Sequence, residues 1–182
     1  MDRKAQIRAY KESPRQMGGH AGIGRRPPGA EGQGIMIDLA AALRTEVERA
    51  AVGFRRLTEG EALRDRGQGK WVRQEILGHL IDSAVNNHRR FVRAQFGDPF
   101  VWPGYDQQAW VQLQRYRERP WLELVDLWVG LNRYLASIIE AAPADRLQTS
   151  CRIGSREPAS LEWWMRDYVR HVRHYLEQLA PG

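Results

Sequence analysis

Cysteine is almost absent from this chain: Cys151 stands alone among 182 residues. One thiol excludes an internal disulfide framework, and with it the small secreted scaffolds that disulfides hold together. No apolar run approaches the ~20 residues that a membrane-spanning helix requires. The opening residues also lack the basic segment and apolar stretch of a secretory signal. The sequence therefore predicts a protein of the reducing cytoplasm with no membrane span. Regular alternation of apolar and polar residues, the usual mark of a half-buried strand, is missing as well.

A large surplus of positive charge on the folded part is a further absence. The net charge is +6, from 28 Lys and Arg against 22 Asp and Glu. Seven of the bases and three of the acids fall in residues 1–34, which leaves 21 against 19 for the remainder. A surface that reads nucleic acid needs its bases clustered on the ordered domain, so this distribution argues against a nucleic-acid partner. Between Met17 and Gly34 lie seven glycines and the adjacent Pro27 and Pro28, with almost nothing to bury. Such a segment cannot offset the entropy of becoming ordered. Residues 1–34 are predicted to be a disordered basic tail and residues 35–182 one folded domain.

What the chain does have is four one-sided helical patterns. Leu43, Val47, Ala50, Phe54 and Leu57 recur every three or four residues and predict a helix over about 37–57. A second, over about 72–96, carries Ile76, Leu80, Ala84, Asn87 and Phe91 on one face. Pro120 opens the third, in a first turn where its missing N–H costs little; Val125, Trp128, Leu131, Leu135, Ile138 and Ala142 follow at stripe spacing. Ser160 is the predicted N-cap of the fourth, which buries Leu161, Met165, Tyr168, Val172, Tyr175 and Leu179 before Pro181 stops it. Four amphipathic helices bury their stripes most economically as an all-α four-helix bundle. The long connection between the second and third helices, with a short helix through Ala109, Trp110, Leu113 and Tyr116, is a crossover that leaves those two helices parallel.

Two histidines fall where a pair of such helices can meet. His79 sits at the edge of the second stripe, about 100° from Leu80, and His171 at the edge of the fourth. If these helices run antiparallel, the rings lie ~10 Å and ~13 Å from matching helix ends, nearly level. Edge histidines in bundles serve as packed structural residues as well as ligands, so spacing alone leaves both readings open.

The stretch from Gly69-Lys70-Trp71 through Gly78-His79-Leu80-Ile81-Asp82 to Phe91 carries a resemblance, together with Pro103-Gly104-Tyr105-Asp106 and Asp167-Tyr168-Val169-Arg170-His171. Residues 36–180 resemble the DinB-like superfamily, which includes the YfiT-type metal-dependent hydrolases. The resemblance implies an up-down-down-up bundle, a homodimer, and a divalent metal held by three histidines. One histidine comes from the second helix in an H-L-x-D-like setting and two come from the fourth at i and i+4. These positions fall on His79, His171 and Tyr175.

Tyr175 is the departure. Three neutral imidazoles with an open position would suit zinc or nickel, whereas a phenol must lose a proton near pH 10 to bind well. His174 lies next door but is turned about 140° from the stripe centre, toward solvent. Asp167 either orients His171, binds the metal directly, or is an exposed helix acid. His88, Arg89, Arg90 and Arg93 are expected on a solvated or interface surface, and Cys151 as an unreactive thiol in a loop. The seven tryptophans are expected in core and crossover packing, some lining a cleft at the metal end. The implied activity is hydrolysis of a small molecule, or transfer of a low-molecular-weight thiol, with an altered third metal ligand. The alternative is a non-catalytic dimeric bundle that has lost its metal and serves as a binding or stress-associated module.

Overall fold

A computed structural model describes residues 30–179. Most of the predicted tail, residues 1–29, lies outside the described residues. The elements in chain order are α1 (Ala30–Phe54), α2 (Glu59–Ala62), α3 (Arg73–Ala94), β1 (Phe100–Trp102), α4 (Gln107–Gln114), α5 (Trp121–Glu140), β2 (Ser150–Ile153), β3 (Ala159–Ser160) and α6 (Leu161–Leu179). The four long helices α1, α3, α5 and α6 are the four sequence stripes. Each of α1 and α3 packs against both α5 and α6, so α1 and α3 stand on opposite corners of the bundle.

Side-chain pairs fix the directions. Arg44 reaches Glu140, Arg133 reaches Glu48 and Arg55 reaches Asp126, so α1 and α5 are antiparallel. Phe91 packs on Tyr168, while Arg73 at the start of α3 donates to the Leu179 carbonyl at the end of α6, so those two are antiparallel as well. Arg173, late in α6, pairs with Glu46, late in α1, and these helices run parallel. The order is up-down-down-up, with α3 and α5 parallel across the crossover.

The core is what the stripes predict. Leu43 and Val47 of α1, Ile76 and Leu80 of α3, Trp128 and Leu135 of α5, and Met165 and Val172 of α6 are all buried. Each large apolar side chain removed from water contributes ~1.5–3 kcal/mol. Ser160 caps α6 as expected, its Oγ accepting the Trp163 N–H at 3.2 Å. Pro120 stands one residue before the helix proper, as the N-cap of α5.

Three expectations need correction. Helix α1 begins at Ala30, inside the segment read as tail. Gln33 donates to the Glu140 carbonyl at 2.7 Å, and Gly32 lies so close to Leu147 that a Cβ there would sit 3.2 Å from its Cδ1. Tertiary contacts thus offset the ~1 kcal/mol that each helical glycine costs. Second, the chain has strands: a sheet of order β1-β2-β3, with β1 parallel and β3 antiparallel to β2. Strands of three, four and two residues are too short to display alternation. Third, Cys151 is in β2 rather than a loop; it is buried and its Sγ donates to the Thr149 carbonyl at 3.3 Å. Burial pushes its thiol up to about 11, in keeping with an unreactive cysteine.

The crossover is anchored on α3 beside the histidine. Gly78 has no side chain, and the Tyr116 ring fills the space a Cβ would take. The Tyr116 hydroxyl donates to Asp82 Oδ1 at 2.7 Å, Gln114 donates to the same oxygen, and Gln74 donates to the Tyr116 carbonyl at 2.9 Å.

Candidate metal centre

The antiparallel contact of α3 and α6 puts the first half of α3 beside the second half of α6, and this brings the predicted residues together. The rings of His79 and His171 are 5.2 Å apart at 72°. Tyr175, one turn beyond His171, is 4.8 Å from each of them. A ligand imidazole has its centroid ~3.2 Å from an ion bound at ~2.1 Å, so two such rings at a tetrahedral angle are ~5.2 Å apart. The observed spacing is of that size. Trp71 closes the apolar side of the cluster, 5.4 Å from His79.

His79 is fully buried rather than at a stripe edge, and His171 is half-buried. Neither nitrogen of His79 has a hydrogen-bond partner, nor does Nε2 of His171. Buried polar atoms are nearly always paired, so three orphan imidazole nitrogens in one place need a partner. Desolvation lowers His79 to about 4, with the neighbouring His171 adding to the effect. Desolvation also lowers His171 to about 4, against the opposing pull of Asp167. Both rings are neutral at pH 7 and keep a lone pair for a ligand. Burial raises the Tyr175 phenol above its usual value, which keeps it protonated. The imidazoles therefore fit a divalent ion, and the phenol fits beside one as a neutral donor.

The other predicted residues fall elsewhere. His174 is exposed, its Nε2 3.0 Å from Gln178 Nε2. Asp167 is engaged by Arg170 at 2.5 Å and Arg156 at 3.4 Å. Among the described residues no group of three or more His, Cys, Asp or Glu side chains is placed to hold a metal.

A polar cleft of about 270 Å³ opens beside His171. Its walls come from α3 (Ser83, Asn87, Arg90), from the crossover (Gly104, Tyr105) and from the turn after β2 (Gly154, Arg156). Arg90 corrects the sequence reading. It is buried, not on a solvated surface with His88, Arg89 and Arg93. Arg89 is exposed over Trp102, and the half-buried Arg93 packs over Phe96 and Phe100. The signal for Arg90 was present: Ser83, Asn87, Arg90 and Ala94 recur at four, three and four residues and all are buried, a stripe disguised by its polar composition.

An up-down-down-up four-helix bundle with a histidine pair between its second and fourth long helices is a specific class of protein. The DinB superfamily model matches residues 40–179, and the chain belongs to that superfamily. Among solved structures it is similar to YfiT from Bacillus subtilis, described as "a probable metal-dependent hydrolase with an unusual four-helix bundle topology". The two share 19% identity and a TM-score of 0.67, over 86% of this chain and 89% of that one. No curated protein sequence matches the chain. Among the described residues, no helix is long and apolar enough to cross a membrane.

Proposed function

We propose that this bundle holds a divalent metal ion, zinc or nickel, between α3 and α6 and acts on a small molecule bound in the adjoining cleft. The three unpartnered imidazole nitrogens of His79 and His171 carry this reading. The two histidines hold the ion. Bound there, the metal supplies Lewis acidity that brings the pKa of a water or thiol nucleophile toward neutrality. The chain's own groups do the rest. Trp71 excludes water from one side, Tyr175 presents a protonated hydroxyl, and Tyr105, pushed up to about 12 by burial and then by Asp82, remains a hydrogen-bond donor in the cleft. The reaction is hydrolysis, in line with the description of YfiT, or transfer of a low-molecular-weight thiol.

Among the described residues no third strong ligand stands beside the histidine pair, which supports a second reading, a binding or stress-associated module that no longer uses metal. Metal analysis of protein purified without an affinity tag separates the two. The first reading expects near-equimolar zinc or nickel, removable by a chelator and restored on addition of the ion. Protein that arrives without metal and takes up none supports the second. A homodimer is part of the proposal, on the family resemblance and on exposed apolar side chains such as Phe96 and Leu113; sedimentation giving a clean monomer mass would remove it.

A further inference from the structure

We infer that the cleft beside His171 takes the carboxylate of a small-molecule ligand on the guanidinium of Arg90. Naming that ligand a substrate rests on the proposed function above; the carboxylate site itself rests on Arg90. This side chain is 8% exposed, lines the cleft, and its Nε is buried without a hydrogen-bond partner. Among the described residues no carboxylate pairs with it. A guanidinium stays charged at any ordinary pH, and an unpaired buried charge is strongly unfavourable. A structural arginine at this depth would have carbonyls or an acid around it. Arg90 faces a cavity instead.

The charges lining that cavity say what completes it. Arg90 and Arg156 are positive and Asp167 is negative. Asp167 is already engaged by Arg156 and by Arg170. Over the residues that line the cavity the net charge is +1, which matches a monoanion. A carboxylate also presents two coplanar oxygens to the fork of a guanidinium. A phosphate dianion would overcompensate beside Asp167 and beside Asp82, whose field is felt at Tyr105. Tyr105 and Ser83 border the same space, and each brings a hydroxyl that can orient the bound group. At about 270 Å³ the cleft lies just under the ~300–1,000 Å³ usual for ligand pockets, which suits a small acid rather than a nucleotide. His171 lines the cleft too, so a molecule anchored at Arg90 has its remaining atoms directed toward the histidine pair.

The test uses the full chain, freed of metal by chelation and labelled with 15N at arginine, with acetate as the probe. The Arg90 Nε–H resonance is assigned by through-bond correlation to the Arg90 backbone after 13C is added to the label. Acetate should shift it saturably, neutral acetamide should not, and phosphate should bind more weakly than acetate. Arg90→Met, which keeps the length of the side chain, should reduce acetate affinity by at least about tenfold, the scale of a lost charge-assisted hydrogen bond. No saturable shift, an equal response to acetamide, or tighter binding of phosphate overturns the inference. The first measurement needs no substitution, so a variant that misfolds does not decide it. Protein that binds zinc but not acetate loses this site alone. Protein that binds acetate but not zinc keeps it and loses the metal reading.

Discussion

The His79 ring on α3 stands 5.2 Å from the His171 ring on α6, edge toward face at 72°. Histidines are polar on two sides, and most that are buried in bundles spend those nitrogens on carbonyls, hydroxyls or acids. Here three of the four nitrogens are buried and unpaired. Burial without a partner destabilises the fold by ~1–3 kcal/mol per group, so the arrangement makes physical sense chiefly when something shared lies between the rings.

Gly78 tests how the crossover is held against this site. A Cβ there would sit 2.1 Å from Cδ2 and 2.3 Å from Cγ of Tyr116. Gly78→Ala gains up to ~1 kcal/mol in helix propensity, but over-packing costs ~1–3 kcal/mol or more. Net destabilisation is expected in urea melts. Gly130→Ala on α5, where a Cβ meets nothing within 4 Å, should instead stabilise by ~0.5–1 kcal/mol. If Gly78→Ala is as stable as Gly130→Ala, Tyr116 does not occupy the space assigned to it.

Asp82 gives a pH dependence. Desolvation raises its carboxyl above 3.8, against the opposing hydrogen bonds from Tyr116 and Gln114. A group with a raised folded pKa holds its proton more tightly in the fold. Its stabilising effect is full below the unfolded pKa and is lost as pH rises through the folded one. At pH 7 the ionised group, with Oδ2 buried and unpaired, is a liability. Asp82→Asn should therefore raise stability at neutral pH, because the neutral amide removes a desolvated charge while its oxygen still accepts from Tyr116 and Gln114. The gain should vanish below about pH 3.8, where wild-type Asp82 is protonated in both states. Denaturant melts at the two pH values check this, and a variant less stable at neutral pH would contradict it.

The bundle was legible because its helices are long and each buries a continuous apolar stripe; Leu80, Trp128 and Met165 are at stripe positions and are buried. The sheet was not legible, because pairing of Phe100 with Cys151 joins distant segments through strands too short to show a pattern. His79, His171 and Tyr175 came from resemblance, and spacing only allowed them to be level. Burial of His79 and Arg90 depends on what α5, the crossover and the β2–β3 turn lay over α3. No single helix encodes that covering.

The central claim is a shared metal site between α3 and α6, and Tyr175→His tests it most directly. The substitution puts an imidazole where the phenol ring now stands, 4.8 Å from both histidines. Zinc affinity by titration calorimetry should rise by more than ~10-fold, since even outer-shell partners are worth 10–100-fold. Adding His79→Ala to that variant should abolish the gain. Affinity no greater than wild type, or a gain that survives the loss of His79, would contradict a site shared by the two helices.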